Sequence, residues 1–89
     1  MNRLKEIKKL ATIDIGSNAI RLLISNIIIR NNYPPESTKN ALIRVPIRLG
    51  QDAFTKGRIS DENISRLIDS MTSFKLLMKV HKVEKYLAF

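Results

Sequence analysis

The stretch Leu10-Ala11-Thr12-Ile13-Asp14-Ile15-Gly16-Ser17-Asn18-Ala19-Ile20-Arg21-Leu22-Leu23-Ile24 decides how this 89-residue chain is read. Two apolar, β-branched runs flank a Gly-Ser-Asn turn, the pattern of a β-hairpin whose first strand ends in a carboxylate. Gly16 admits positive φ, and Ser17 and Asn18 bring short polar side chains and two further main-chain N–H groups, so the turn suits an anion. A carboxylate beside a phosphate is repulsive unless a cation bridges them, and a hard, oxygen-ligated ion such as Mg²⁺ is the usual bridge. Asp14 and the turn thus suggest metal and phosphate together. An ordinary hairpin, with Asp14 and Asn18 in local turn hydrogen bonds, answers to the same residues. The decision passes to the rest of the chain.

A chain of this length makes at most one small domain and buries only about 60% of the surface its unfolded form exposes. With no Cys, disulfides and thiolate metal sites are excluded, and a reducing cytoplasm is the expected compartment. Sixteen Lys and Arg against eight Asp and Glu give a net charge of +8, which favours polyanionic partners. The longest uncharged apolar stretch, Leu22 to Ile29, is far short of the roughly 20 residues that cross a bilayer, so no membrane role is expected.

Residues 1–9 are a basic lead-in, read as a tail or a short turn of helix. Strand one is expected at about 10–15 and strand two at about 19–29, both apolar enough to need cover on two sides. Arg21, charged and placed on a buried strand, needs an anion. A structural ion pair with Asp14 and a ligand contact both satisfy it. Residues 31–39 form the clearest loop. Strand three, Ala41 to Leu49, alternates Ile43, Val45, Ile47 and Leu49 with Arg44, Pro46 and Arg48, and Pro46 assigns it to a sheet edge. Arg44 and Arg48 suit either a polyanion path or an aggregation-blocking edge. Residues 50–59 read as a connector bracketed by Gly50 and Gly57.

Ser60 is a good helix N-cap, with Asp61 and Glu62 at the positive end of the dipole. The helix shows an apolar stripe of Ile64, Leu67, Ile68, Met71, Phe74 and Met78, expected to pack on the sheet. Lys79, His81 and Lys82 suit its C-terminus, and Val83 to Phe89 reads as a fourth strand. The architecture predicted is α/β: a β-β-β-α-β unit with a mixed sheet of order 3-2-1-4, the last strand parallel to the first.

In order along the chain, Ile13-Asp14-Ile15-Gly16-Ser17-Asn18-Ala19-Ile20-Arg21-Leu22-Leu23-Ile24, then Ile43-Arg44-Val45-Pro46-Ile47-Arg48-Leu49-Gly50, then Gly57-Arg58-Ile59-Ser60 opening a helix, resemble the start of the exopolyphosphatase/guanosine pentaphosphate phosphatase (Ppx/GppA) family. The resemblance spans about residues 10–89 and implies the first part of an actin-like ATPase (ribonuclease H-like) domain. It assigns Asp14 to metal, and Gly16, Ser17, Asn18 and Arg21 to phosphate. Ala19 stands where the family often has Ser, one hydroxyl contact fewer. The implied activity is removal of terminal phosphate from inorganic polyphosphate or guanosine pentaphosphate with Mg²⁺, in a homodimeric parent enzyme.

Family members continue into a Thr-Ser-Ala-x-Arg segment, a catalytic Glu and a second Gly-rich loop. None of these lies in the 89 residues, so the resemblance implies an N-terminal fragment, inactive alone because no base reaches the attacking water. Asp52, Asp61, Glu62, Asp69 and Glu84 are expected on loops or helix surfaces. Two other classes fit the same residues: another actin-like ATPase or sugar kinase, and a basic nucleic-acid-binding module. An unfinished sheet is also expected to leave an edge and a face bare, favouring marginal stability or self-association.

Overall fold

The computed structural model describes residues 4–89. Three long strands, β1 (Leu4–Ile15), β2 (Ala19–Arg30) and β3 (Glu36–Pro46), are followed by helices α1 (Leu49–Lys56) and α2 (Asp61–Val80) and a short β4 (Lys85–Ala88). β1 pairs antiparallel with β2, β2 antiparallel with β3, and β4 parallel with β1, giving the order β3-β2-β1-β4. The predicted order and orientation hold, and Pro46 does lie on an edge strand.

Residues directly opposite in neighbouring strands share a face of the sheet. On one face Ile13 lies opposite Leu22 and Leu22 opposite Ile43, while Ala11 lies opposite Ile24 and Ile24 opposite Ala41. α2 closes this face: Phe74 and Met78 join Ala11, Ile13, Ile20, Leu22, Ile24 and Ile47 in the core, with Leu67, Met71 and Leu77 at its margin. Each large side chain fully removed from water there contributes on the order of 1.5–3 kcal/mol.

On the other face Leu87, Thr12, Leu23 and Leu42 form one row across all four strands. Leu42 and Leu87 are 52% and 65% exposed. The strands were expected to be covered on two sides, and this chain covers one.

Several boundaries differ from the sequence reading. β1 begins at Leu4, so residues 4–9 are strand instead of lead-in; residues 1–3 lie outside the described part. Pairing with the Ile27–Ile29 run of β2 overrides the polar composition. β3 begins at Glu36, inside the expected loop, because the same β2 run extends its ladder, with a register shift between Ile24 and Ser25. The expected connector contains α1, closed by Gly57 in the left-handed conformation (φ 69°) with its N–H donating to Ala53 O.

In α2 the buried positions are Ser70, Phe74 and Met78, whereas Ile64 and Ile68 are 41% and 59% exposed. The six-residue apolar stripe spans more of the helix circumference than one face of the sheet can cover. Ser70 tolerates burial by donating its hydroxyl to Arg66 O at 2.7 Å.

α2 ends in a Schellman arrangement: Val83 N–H donates to Met78 O and Lys82 N–H to Lys79 O, with Lys82 at φ 57°. His81, at its C-terminus, lies with Nδ1 3.3 Å from Asn40 Nδ2 and so meets β3.

Candidate phosphate-binding site

The β1–β2 turn is held from three directions. Gly16 N–H donates to Ala19 O at 2.9 Å and closes it. Ile15 N–H donates to Phe89 O and Phe89 N–H to Ile13 O, which fixes the end of β1 against the segment after β4. The segment after β3 supplies the third anchor, where Ile47 N–H donates to Asn18 O at 3.1 Å and Gly50 N–H to Ser17 O at 2.9 Å.

That third anchor orients the turn. All peptide bonds here are trans, so the Asn18 N–H is antiparallel to the Ser17 C=O. Turning the Ser17 carbonyl inward to Gly50 turns the Asn18 amide outward. Among the described residues neither Ser17 N–H nor Asn18 N–H donates to a protein acceptor, and both residues are exposed. Gly16 differs from expectation on two counts: its φ is not positive, and its amide is spent inside the turn. A Cβ there would meet Ala19 O at 3.2 Å, so close approach is what Gly16 provides.

Gly50, read from sequence only as a bracket, is the tighter requirement. A Cβ on it would lie 2.8 Å from the Ser17 Cβ and 3.3 Å from its Oγ. The backbone of α1 therefore rests directly on Ser17. The sequence signal was available in Arg48-Leu49-Gly50, but only the folded turn shows what the glycine touches.

Asp14 is exposed at the end of β1, opposite Arg21, which is in turn opposite Arg44. All three occupy the open face. Among the described residues Arg21 makes no ion pair with Asp14 or any other carboxylate, so the structural ion pair expected as one reading of Arg21 does not form. Asn18, Arg44, Pro46, Arg48 and Gln51 line one cleft beside the turn.

Asp52 was expected on a loop surface and is instead buried at 9% exposure, joining α1 to the start of α2. Its Oδ2 accepts from Ser60 N–H at 2.9 Å, Ser60 Oγ–H at 2.7 Å and Asn63 Nδ2 at 2.8 Å. Ser60 Oγ meanwhile accepts from Asn63 N–H, the N-cap contact expected of it. The Ser60 amide foremost, then the Ser60 hydroxyl and Asn63, with Lys56 3.9 Å away, lower the Asp52 pKa to about 2 against the opposing effect of burial.

Of the remaining carboxylates, Asp61 pairs with Arg58, Glu36 with Arg30, Glu84 accepts from Lys9 N–H, and Glu6, Glu62 and Asp69 are exposed. Among the described residues no three His, Cys, Asp or Glu side chains cluster as a metal site. Asp14 alone still suits Mg²⁺, which takes one or two carboxylates and completes its shell with phosphate oxygens and water.

No family model and no curated protein matches the chain. Solved structures do. A Ppx/GppA family member from Aquifex aeolicus superposes with a TM-score of 0.80 at 28% identity, over 93% of this chain and 26% of that one. An exopolyphosphatase from Cytophaga hutchinsonii gives 0.73 at 28% identity, over 91% and 24%. An exopolyphosphatase-like protein gives 0.72 at 29%, over 92% and 24%. The chain thus spans about a quarter of the length of these structures. No described helix is long and apolar enough to cross a membrane. In fold, and at 26–29% identity in sequence, the chain is similar to the N-terminal actin-like ATPase domain of these Ppx/GppA structures.

Proposed function

We propose that this chain is the phosphate-binding part of an exopolyphosphatase or guanosine pentaphosphate phosphohydrolase, an enzyme that removes a terminal phosphate by metal-assisted attack of water. The observation that carries the reading is the outward Asn18 amide, anchored from behind by Gly50, beside an exposed Asp14. In this role the Ser17 and Asn18 N–H groups and side chains hold phosphate oxygens, Arg21 adds a charged donor, and Asp14 holds the metal, through water or directly. Bound Mg²⁺ supplies charge neutralisation at the phosphoryl group under attack. Gly16 shapes the turn and gives no donor.

Asp52 is committed to the α2 cap and Asp61, Glu36 and Glu84 to their own partners, so none of them serves as the base that activates water. The 89 residues bind phosphate and do not hydrolyse it. Calorimetric titration with pyrophosphate tests this. Binding is expected to require Mg²⁺ and to fall at least about tenfold in Asp14→Asn. Equal binding without Mg²⁺, or an unaffected Asp14→Asn, overturns it.

A further inference from the structure

α2 carries more apolar surface than the sheet covers. Phe74 and Met78 enter the core, with Leu67, Met71 and Leu77 at its margin. Away from the core Ile64, Ile68, Leu76 and Val80 are exposed, and with Thr72 between them they recur every four residues. Residues so spaced stand in one ridge along the helix surface, the element through which helices pack on one another. Thr72 suits that ridge, because its hydroxyl donates to Ile68 O at 2.9 Å and needs no water. Ser73 beside it likewise donates to Asp69 O at 2.9 Å.

The charges around the ridge are sorted along the helix. Asp61, Glu62 and Asp69 lie in its first half and Lys75 and Lys79 in its second, all of them exposed. Arg66 breaks the pattern in sequence only, since its guanidinium is turned to Pro46 O of β3. Among the described residues Glu62, Asp69, Lys75 and Lys79 form no ion pair within the chain, and Asp61 meets only Arg58, at 3.9 Å. A second α2 laid parallel to the first would set like charge on like. Laid antiparallel, it sets each acidic half against a basic one.

We infer that α2 is a self-association face: two copies of the chain pair through the ridge from Ile64 to Val80, antiparallel, about a two-fold axis near Thr72. That centre brings Ile64 level with Val80 of the second copy, Ile68 with its Leu76, and Asp69 with its Lys75. Because one patch serves both copies, the pairing closes at a dimer. Four apolar side chains a side make a contact at the small end of specific interfaces, below about 1,200 Å². The expected Kd is therefore on the order of 10–100 µM. The inference does not rest on the phosphate reading, since the ridge contains none of the residues assigned to phosphate or metal.

Sedimentation equilibrium of the 89-residue chain at low salt, from about 10 to about 500 µM, tests this, with circular dichroism as the check on folding. Wild type is expected to be a mixture of monomer and dimer. Ile68→Glu and Leu76→Glu, both at exposed positions, should weaken the dimer at least about tenfold, and Leu87→Glu on the open sheet face should leave it unchanged. Asp69→Lys and Lys75→Asp should each dimerise less than wild type. Mixing these two should restore dimer, because in the mixed pair each lysine at the two positions again meets an aspartate.

A wild type that stays monomeric over the whole range overturns the inference. So does a dimer that natively folded Ile68→Glu and Leu76→Glu leave intact, or one that Leu87→Glu abolishes, which would move the contact to the sheet. Where a glutamate variant loses its native spectrum, the mixing experiment decides, and no recovery of dimer in the mixture overturns the antiparallel pairing.

Discussion

The two faces of the sheet are built from the same strands and end differently. Leu22 and Leu23 are neighbours on β2, yet Leu22 is fully buried beneath α2 and Leu23 belongs to the uncovered row with Thr12, Leu42 and Leu87. Two residues nearer the turn, the covered face still carries Ile20 and the uncovered one changes to Asp14, Arg21 and Arg44. The covered face is uniform because it has one task, to exclude water. The uncovered face is graded from apolar to charged, so along one set of strands packing gives way to chemistry as the turn is approached.

Truncating the adjacent leucines tests the contrast most severely. Leu22→Ala is expected to lower unfolding free energy by about 2–5 kcal/mol, the range for fully buried positions. Leu23→Ala should cost well under half as much in the same urea titration, because its neighbourhood is already open to water. Equal losses would mean that the second face is covered in solution, for instance by another copy of the chain.

Gly50→Ala probes the seam where α1 rests on Ser17. Overpacking of this kind typically costs about 1–3 kcal/mol, and phosphate binding should fall with it because the Ser17 carbonyl and the Asn18 amide are parts of one peptide unit. Ser17→Gly in the same chain removes the Cβ that a methyl at position 50 would strike at 2.8 Å, and should recover stability lost in Gly50→Ala. Failure of the pair to couple would detach α1 from the turn.

Smaller effects belong to the helix ends. The Asp52 pKa lies below its unfolded value of about 3.9, so the contribution of this carboxylate is complete above about pH 4 and is lost as pH falls toward about 2. Urea midpoints should decline through that window, and less steeply in Asp52→Asn. Lys82→Gly should raise stability by up to about 1 kcal/mol, since the residue already sits at φ 57° and glycine accepts that conformation without a Cβ penalty.

What the sequence disclosed follows from how local each signal is. The β1–β2 turn, the edge placement of Pro46 and the Ser60 cap are written in adjacent residues, and each is found where its chemistry requires. The N-terminal half of β1 and the first residues of β3 are polar and become strand only because Ile27–Ile29 of β2 lies between them. That information is distant in the chain.

α1 is short, and its Phe54 is 92% exposed, so it presents almost no apolar stripe. Its one legible mark was Gly57 directly after Lys56. Among the site residues, Asp14, Ser17, Asn18 and Arg21 are on the same turn and strand pair as expected. The roles of Gly50 and Asp52 were hidden because each acts through a contact made across separate elements.

The sheet's two borders have unlike chemistry. At one, Pro46 offers no N–H and Lys39, Arg44 and other polar groups guard the outer rim, which discourages docking by a foreign strand. At the other, Lys85-Tyr86-Leu87-Ala88 runs unguarded beside β1 with its outer backbone groups free of any strand. Pairing by a further strand is accordingly disfavoured at the β3 border and unopposed at the β4 border.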